Sequence, residues 1–385
     1  MNVPKIRYKK FAGEWQKVKL SSQASFLQGL TYTPNDVSND GTIVLRSSNI
    51  QNSMIDYNDI VRVNKVIPEK LKIKENDILM CVRNGSKSLV GKTAWLSKKE
   101  EECTWGAFMN IIRPKENNRF IYYYLNSKYF HNHVWKDLGT ATVNQITKQT
   151  LESCYLNIPS IEEQEKISNT LKLLDKKIEL QNKKIEDLKL FKLSLREKLF
   201  YMFPTNNKKL SEILIKWNKK NKDSKYSYVE SVSNKFGFIA QNEQFEDRNV
   251  ASNDTSNYYV IEKGVFAYNP SRLNVGSLAL KQNDKVSLVS PLYECFTTNQ
   301  IQDFILEWFQ SKEFKRGTFS KYEGGVRNTL NFNNLSSIEI KLPNLESQSK
   351  IVKILNCYNK MINLELEKLN KLLEFKKGLM QQLFI

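Results

Sequence analysis

Two long stretches of the chain carry apolar residues at alternating steps of three and four positions. This period places side chains along one stripe of an α-helix, so each stretch is predicted to form one long amphipathic helix. The stripe of the first helix consists of Ile167, Leu171, Leu174, Ile178, Ile185, Leu188, Phe191, Leu195 and Leu199. The stripe of the second consists of Ile351, Leu355, Tyr358, Ile362, Leu369, Leu372, Phe375, Leu379 and Leu383.

The ends of both helices carry local signals. Ser160 and Glu163 have the spacing of a capping box, Asn344 is suited to cap the second helix, and Pro204 ends the first. About 42 residues give a helix of roughly 63 Å. So narrow a stripe cannot be buried against its own helix, so we expect the two helices to pack on each other. Independent helices on separate domains would explain the period but not its duplication.

The two helical stretches also match in sequence. At a shift of 184 positions, which places Pro159 over Pro343, 16 of the 42 aligned residues are identical. Twice this shift accounts for nearly the whole chain, so we interpret the protein as two copies of one unit. Each copy has a globular part and a helix, at residues 1–158 and 159–203, and at 204–342 and 343–385.

The globular parts are predicted to be rich in strands, because β-formers alternate with Asn, Gly and Asp turns. LKIKENDILMCVRNGSKSLVGKTAWL and YYVIEKGVFAYNPSRLNVGSLAL both predict a strand, a loop rich in Gly, Asn and Arg, and a second strand. An aromatic-rich helix is predicted at 119–139 and again at 303–317. The fold class is therefore α+β, with two pseudo-repeated strand-rich domains separated by two long helices.

Composition narrows the possible partners. Lys and Arg number 59 against 41 Asp and Glu, a net charge of +18. Such an excess favours a polyanion, most simply nucleic acid, although a basic surface without a partner stays possible. A mean hydropathy of −0.51 and the lack of a long apolar run exclude a transmembrane span. The N-terminus has no signal peptide, and five scattered cysteines indicate unpaired thiols, so we expect a cytoplasmic protein.

Catalytic patterns are weak. Asn269-Pro270-Ser271-Arg272 begins like an adenine-methyltransferase loop but lacks its second proline and its aromatic residue, and no P-loop or S-adenosylmethionine loop is found. Asp303 with Glu313 and Lys315 mimics a nuclease pattern that recurs by chance in a Lys-rich chain. His131 and His133 are too poorly spaced on a helix for one metal ion. We expect no metal, no cofactor and no catalysis on this chain.

Polar side chains on the loops between strands are the candidates for contact with DNA bases, since Arg can bridge guanine and Asn can bridge adenine. The first choices are Arg83, Asn84, Ser86, Lys87, Lys92, Asn269, Ser271, Arg272 and Asn274. The second choices are Arg46, Asn49, Thr140, Asn144, Arg327 and Asn328. For each of them a phosphate contact or an ordinary turn remains an open interpretation.

The sequence resembles the specificity subunits of type I DNA restriction–modification enzymes over essentially its whole length. The resemblance is carried by PKIRYKKFAGEWQKVKL, LRSSNIQN, YNPSRLNVGS and the two helices that begin IPSIEEQ and LPNLESQ. It implies two target-recognition domains, each reading half of a split DNA sequence, and two helices in an antiparallel coiled coil that dock two modification subunits. S-adenosylmethionine, ATP and Mg would belong to partner subunits. Whether a restriction or translocase subunit joins them stays open.

A direct repeat with antiparallel helices would give a pseudo-two-fold arrangement, and two unlike domains would then read an asymmetric bipartite target. Two rival functions stay open. The chain could be a stand-alone methyltransferase or nuclease with degenerate motifs, which methyl transfer or cleavage by the isolated chain would show. It could also be a coiled-coil scaffold without sequence-specific DNA binding, which salt-insensitive binding to proteins alone would favour.

Overall fold

The computed structural model describes residues 3–116, 119–138, 144–233, 237–241, 254–273, 276–319, 321 and 329–385. The chain forms two compact units. The first comprises Met1–Lys183 with Glu367–Ile385, and the second comprises Lys184–Leu366. Each unit therefore contains one globular part and one half of each long helix.

Two helices are far longer than the others, and both run through the division between the units. The helices are α1 (Leu20–Gln23), α2 (Phe120–Leu125), α3 (Lys128–Leu138), α4 (Lys148–Ser153), α5 (Ile161–Met202), α6 (Gln302–Phe309), α7 (Lys312–Phe319), α8 (Phe332–Ser336) and α9 (Leu345–Leu383). The helices α5 and α9 cover the two stretches in which the apolar period predicts long helices.

The strands of the first unit form two four-stranded sheets and two strand pairs. They are β1 (Gln16–Lys19), β2 (Ala24–Gln28), β3 (Val37–Ser38), β4 (Thr42–Leu45), β5 (Ile50–Gln51), β6 (Met54–Ile55), β7 (Val61–Val63), β8 (Ile78–Cys81), β9 (Thr93–Trp95), β10 (Thr104–Trp105), β11 (Met109–Pro114) and β12 (Tyr155–Ile158). The sheet orders are β2-β11-β8-β9 and β10-β4-β7-β3, and the pairs are β1-β12 and β5-β6. The β10-β4 pair is parallel, and the other ladders are antiparallel.

The second unit repeats part of this topology. Its strands are β13 (Thr205–Lys209), β14 (Leu214–Lys216), β15 (Glu230–Ser233), β16 (Gly237–Ala240), β17 (Tyr259–Ile261), β18 (Phe266–Tyr268), β19 (Leu278–Leu280), β20 (Ser287–Val289), β21 (Glu294–Thr298) and β22 (Glu339–Pro343). The sheet β14-β21-β18-β19 matches β2-β11-β8-β9 strand for strand, and β13-β22 matches β1-β12. The predicted α+β fold and its internal repeat are therefore confirmed.

The long helices pack antiparallel, as contacts inside each unit show. In the second unit Lys184 pairs with Glu365 at 3.0 Å, and the rings of Phe191 and Tyr358 lie 5.4 Å apart. In the first unit the Lys376 ammonium lies 2.6 Å from the Asp175 carboxylate. Of the predicted stripe, Ile167, Leu171, Leu174, Ile185, Leu199, Ile351, Leu355 and Leu383 are buried. The half-buried members are Ile178, Leu188, Leu195, Tyr358, Ile362, Leu369, Leu372 and Leu379. Phe191 and Phe375, which occupy the same repeat position, are instead 53% and 61% exposed.

The helix starts differ in one respect from the prediction. The Asn344 side chain accepts a hydrogen bond from the Ser347 amide at 2.9 Å, as expected of a cap. Ser160 accepts from the Glu163 amide at 3.4 Å, but the Glu163 carboxylate forms a two-pronged ion pair with Arg7 at 2.7–2.8 Å. The predicted capping box is thus half used, because an Arg outcompetes a backbone amide for a buried carboxylate.

The aromatic-rich segments are each two helices and not one. In each segment the first helix ends, at Leu125 and at Phe309, and the second helix is capped by a serine hydroxyl. Ser127 accepts from the Phe130 amide at 3.4 Å, and Ser311 accepts from the Phe314 amide at 3.1 Å. The single helix predicted from composition is wrong, since Ser favours capping over a helix interior.

Shortening a side chain in the buried apolar stripe of a long helix should reduce the stability of the chain strongly. Leu171 is fully buried in the core of the first unit, so Leu171→Ala should lower the free energy of unfolding by about 2–5 kcal/mol through lost burial and a residual cavity. Chemical denaturation measures this. The control is Leu173→Ala on the same helix, where the side chain is 72% exposed and the expected change is within about 0.5 kcal/mol. Equal effects of the two substitutions would contradict the assigned seam.

Candidate nucleic-acid interface

One loop in each unit is built to the same plan. The loops connect β8 to β9 and β18 to β19, as the sequence predicts. The Asn84 side chain accepts a hydrogen bond from the Ser86 amide at 2.9 Å, and the Asn269 side chain accepts from the Ser271 amide at 3.0 Å. Each turn is followed by a basic residue, so the loops share the pattern Asn-x-Ser-Lys or Asn-x-Ser-Arg.

A glycine with positive φ closes each loop before its second strand. Gly91 has φ +88° and Gly276 has φ +91°, which is a conformation that favours glycine. A Cβ on Gly91 would also lie 3.3 Å from the His131 ring. The two glycines are 185 positions apart, as are the two asparagines, so the repeat extends to the turn chemistry of the loops.

A second segment holds each loop from the side. In the first unit Asn144 donates its side-chain amide to the Gly85 carbonyl at 3.1 Å, and its own carbonyl accepts from the Asn84 amide at 3.3 Å. In the second unit the Leu330 amide donates to the Pro270 carbonyl at 3.1 Å. The structure thus brings Asn144, a second choice, beside the first-choice loop. Four other candidates, Thr140, Asn274, Arg327 and Asn328, lie outside the described residues.

Arg83 is exposed and lies over an aromatic ring. Its guanidinium carbon is 5.1 Å from the centroid of Phe108, which is itself 57% exposed. The Phe108 carbonyl accepts from the amides of Val82 and Arg83 at 3.0 and 3.2 Å. Among the described residues no carboxylate forms an ion pair with Arg83, so its charge is available for a ligand. Sequence reasoning missed Phe108, because a single Phe between two strands has no local signature.

Lys87 also lies over an exposed ring. Its ammonium is 5.4 Å from the Trp135 ring, which projects from α3 and is 46% exposed. Trp135, His131 and Lys92 line a shallow cavity of about 330 Å³ beside the loop. Burial lowers the pKa of His131, so this ring is neutral near pH 7 and the basic side chains supply the positive charge.

Two candidate residues, Asn49 and Arg46, make contacts that stabilise the fold. Asn49 is fully buried, and its amide donates to the carbonyls of Asp56 and Asp59 at 2.9 and 2.8 Å. Arg46 forms an ion pair with the Asp59 carboxylate at 2.9 Å. Asn49 is therefore corrected from a base reader to a residue that shapes the 56–59 turn. Arg46 is partly exposed, but its charge is already compensated.

The loop of the second unit presents Ser271 and Arg272 to solvent, and Asn269 is half-buried. The backbone of Arg272 is held on both sides, since its amide donates to Asn269 and its carbonyl accepts from Ser277. No ion pair to its guanidinium occurs within the part of the chain that the structure describes. Arg272 takes the position that Lys87 occupies in the first loop, so each unit offers one cation at the same point of the repeat.

The described residues contain no group of three His, Cys, Asp or Glu side chains arranged to hold a metal ion. Of the nuclease-like carboxylates, Asp303 accepts from Asn356 at 3.4 Å and Glu313 accepts from the Lys341 amide at 3.1 Å. All five cysteines are unpaired, as predicted. No helix in the described ranges is long and apolar enough to span a bilayer.

The geometry defines a class of protein with two similar α+β domains, each carrying an exposed polar loop, joined by a pair of antiparallel helices. The sequence matches the family of type I restriction modification DNA specificity domains twice, over residues 12–190 and 204–374. These matches cover most of the chain, and the protein belongs to this family.

Two curated relatives are specificity subunits of type I restriction enzymes. The StySPI subunit of Salmonella potsdam and the EcoKI subunit of Escherichia coli K12 are each 29% identical over 181 residues. The match covers 45% of this chain and 39% of either relative, so the chain spans well under half of the length of both.

Solved structures share the fold over almost the full length. The S subunit of a type I restriction–modification system from M. genitalium has a TM-score of 0.56 and 15% identity, covering 100% of this chain and 99% of its own. A chain from a study of complex assembly in the type I system has the same TM-score and 14% identity, covering 97% and 98%.

Buried and exposed candidate residues should respond differently when their side chains are shortened to alanine. Asn49→Ala should lower the free energy of unfolding by roughly 1–3 kcal/mol, because the Asp56 and Asp59 carbonyls lose a buried donor. Arg83→Ala removes an exposed side chain and should change stability by less than about 0.5 kcal/mol. Urea denaturation of both variants compares them. An Asn49→Ala chain as stable as the wild type would leave Asn49 without its structural role.

Proposed function

We propose that this chain is the sequence-specific DNA-binding subunit of a type I restriction–modification complex, in which each domain reads one half of an asymmetric bipartite target. The observation that carries the proposal is the duplicated loop, with its fixed turn and its unpaired cation in each unit. A rigid loop that presents a free basic side chain is suited to a groove lined with base acceptors and phosphates. Membership of the family supports the same assignment.

The chemistry of each loop indicates a division of roles. Arg83 and Arg272 can each form a bidentate contact with guanine O6 and N7. The Asn84 amide is occupied by the Ser47 hydroxyl at 3.1 Å and by the Ser86 backbone, so we assign it to shaping the loop. Lys87 is assigned to the phosphate backbone, because a flexible ammonium carries little information about sequence.

The long helices are proposed to dock two modification subunits. Leucines off the seam remain exposed on both helices, and they include Leu173, Leu180, Leu190, Leu364 and Leu373. Exposed apolar side chains of this kind are suited to contact with a protein partner. In this proposal the partners bind S-adenosylmethionine and methylate adenine, ATP and Mg belong to a restriction subunit where one is present, and the assembled complex acts in the cytoplasm.

Half-site recognition can be tested with single substitutions. Arg272→Ala, expressed with the cognate modification subunit, should relax base preference in one half-site alone, at a cost of about 1–3 kcal/mol in binding, or roughly 5–150-fold. Methylation mapping gives the readout. Arg83→Ala should affect the other half-site. The control is Lys263→Ala, an exposed cation that pairs with Asp284 and precedes β18, whereas the loop follows that strand; it should leave both half-sites unchanged. An unaltered target in both loop variants would reject the assigned readers.

The separation of the half-sites is proposed to depend on the helices. Four residues inserted after Asn182 and four after Leu366, where the chain divides into its two units, add about 6 Å to each helix while keeping the seam near register. The half-site bases should stay the same, and the gap between them should grow by about one or two base pairs. An insertion in one helix alone should instead destabilise the chain. Changed half-site bases with an unchanged gap would overturn this role.

The rival functions make different predictions about the isolated chain. A methyltransferase or nuclease would act on DNA without a partner, and a scaffold would bind proteins but no DNA. The proposed subunit should bind target DNA with an affinity that falls steeply with salt. Methyl transfer or cleavage by the isolated chain, or salt-insensitive binding to protein alone, would favour a rival.

A further inference from the structure

The two domains meet the long helices through one contact that is the same in both units. Phe120 on α2 packs against Phe384, the residue that directly follows α9, with ring centroids 5.3 Å apart. Phe304 on α6 packs against Phe200 of α5, also at 5.3 Å. These pairs are related by the shift of 184 positions. Because both pairs join two phenylalanines at the same centroid distance, this contact offers no charge or hydrogen bond by which to distinguish the two domains.

One helix turn farther along, the contacts differ between the units. In the first unit, the buried Tyr123 donates its hydroxyl to Asp175 of α5 at 2.7 Å, and Lys376 of α9 pairs with the same carboxylate at 2.6 Å. The carboxylate therefore belongs to the long helix, and the domain supplies an uncharged donor. Met380, one turn farther along α9, is buried in the apolar core.

In the second unit the carboxylate belongs to the domain. Glu307 of α6, which occupies the repeat position of Tyr123, is buried and pairs with Lys192 at 2.6 Å and Arg196 at 3.4 Å. Arg196 is 3% exposed and also donates to the Gln310 carbonyl at 2.7 Å. The repeat position of Asp175 holds Asn359, which has no charge.

Each unit thus has a lysine at the same repeat position. The acid that pairs with this lysine lies on the long helix in the first unit and on the domain in the second. Lys192 and Lys376 occupy the same repeat position, as do Arg196 and Met380. We call Asp175, Lys376 and Met380 the first seat, and Lys192, Arg196 and Asn359 the second seat. The first seat contains an acidic residue, Asp175. The second seat contains two cations and no acidic residue.

We propose that the seats are a charge key that assigns each domain to its own half of the helix pair. The first seat accepts an uncharged hydrogen-bond donor at position 123, and the second requires a carboxylate at position 307. A domain in the wrong seat would either place two carboxylates on one partly buried lysine, or leave the half-buried Lys192 without its acid and the buried Arg196 with only Glu197, 3.9 Å away. Both arrangements are unfavourable.

The key has a consequence for domains exchanged between chains. A foreign domain should be retained on the first seat only if its aromatic helix carries a neutral donor, and on the second only if it carries an acid. The order of the two domains along the helix pair would then be fixed by the chain itself. This inference depends on contacts inside each unit and does not require DNA binding.

The test exchanges the acid within the first seat of the full-length chain. Tyr123→Glu should lower the melting temperature by roughly 5–15 °C, because its carboxylate meets Asp175. The double variant Tyr123→Glu with Asp175→Asn places the carboxylate on the domain and an amide on the helix, as in the second seat, but keeps Met380. It should recover the part of that loss that comes from the two facing carboxylates. Thermal unfolding followed by circular dichroism measures both. A double variant no more stable than Tyr123→Glu alone would overturn the key.

The second seat provides the reciprocal test, which remains informative if Tyr123→Glu fails to fold. Glu307→Tyr should destabilise the chain, and adding Arg196→Met with Asn359→Asp, which copies the first seat, should restore stability. Failure of this restoration would also count against the key. As controls, Phe120→Leu and Phe304→Leu should cost similar stability, and the acid exchanges should rescue neither. Rescue of a Phe variant by an acid exchange would show a general packing effect.

Discussion

The structure depends on burial of a narrow apolar stripe on two helices that are longer than any core they adjoin. A helix of 42 residues with one apolar face cannot shield that face alone, and packing supplies most helical stability in water. Leu171 and Leu355, which occupy the same repeat position, are fully buried. The cores of both units include residues from both long helices. Folding of the domains and pairing of the helices are therefore one process within each unit.

The β8–β9 loop and the β18–β19 loop have the same backbone turn, but their side chains differ. The Asn turn and the positive-φ glycine are retained at a constant separation, because both are needed to bring the chain back to the neighbouring strand. The basic residue between them is Lys87 in one loop and Arg272 in the other. Those two side chains differ in how they hydrogen-bond, since the guanidinium is a planar fork and the ammonium a point charge. Under the proposed function, the same loop backbone with a different basic side chain in each unit would suit two half-sites of unlike sequence.

The sequence predicted what depends on local order. The period of three and four placed both long helices, and the strand–loop–strand segments followed from β-formers around Gly and Asn. Long-range contacts were not predictable from composition. Asn49 has the side chain of a base reader, but its amide donates to the backbone carbonyls of Asp56 and Asp59, seven and ten residues farther along the chain. Phe108 and its contact with Arg83 depend on how β11 pairs with β8, which no single-residue signal records.

The repeat also shows why similar halves need not be interchangeable. Phe120 and Phe304 each pack on a phenylalanine at the end of a long helix with the same centroid distance, so this contact alone does not favour one pairing of domain and helix over the other. Discrimination must then come from groups whose energy depends on sign, and buried charges are the most sensitive of these. Moving one carboxylate from the helix at Asp175 to the domain at Glu307 leaves each correct pairing satisfied and both incorrect ones unsatisfied. The seats also differ at Arg196 and Met380, so they are separated both by the side that carries the acid and by the number of cations, while Lys376 and Lys192 are common to the two.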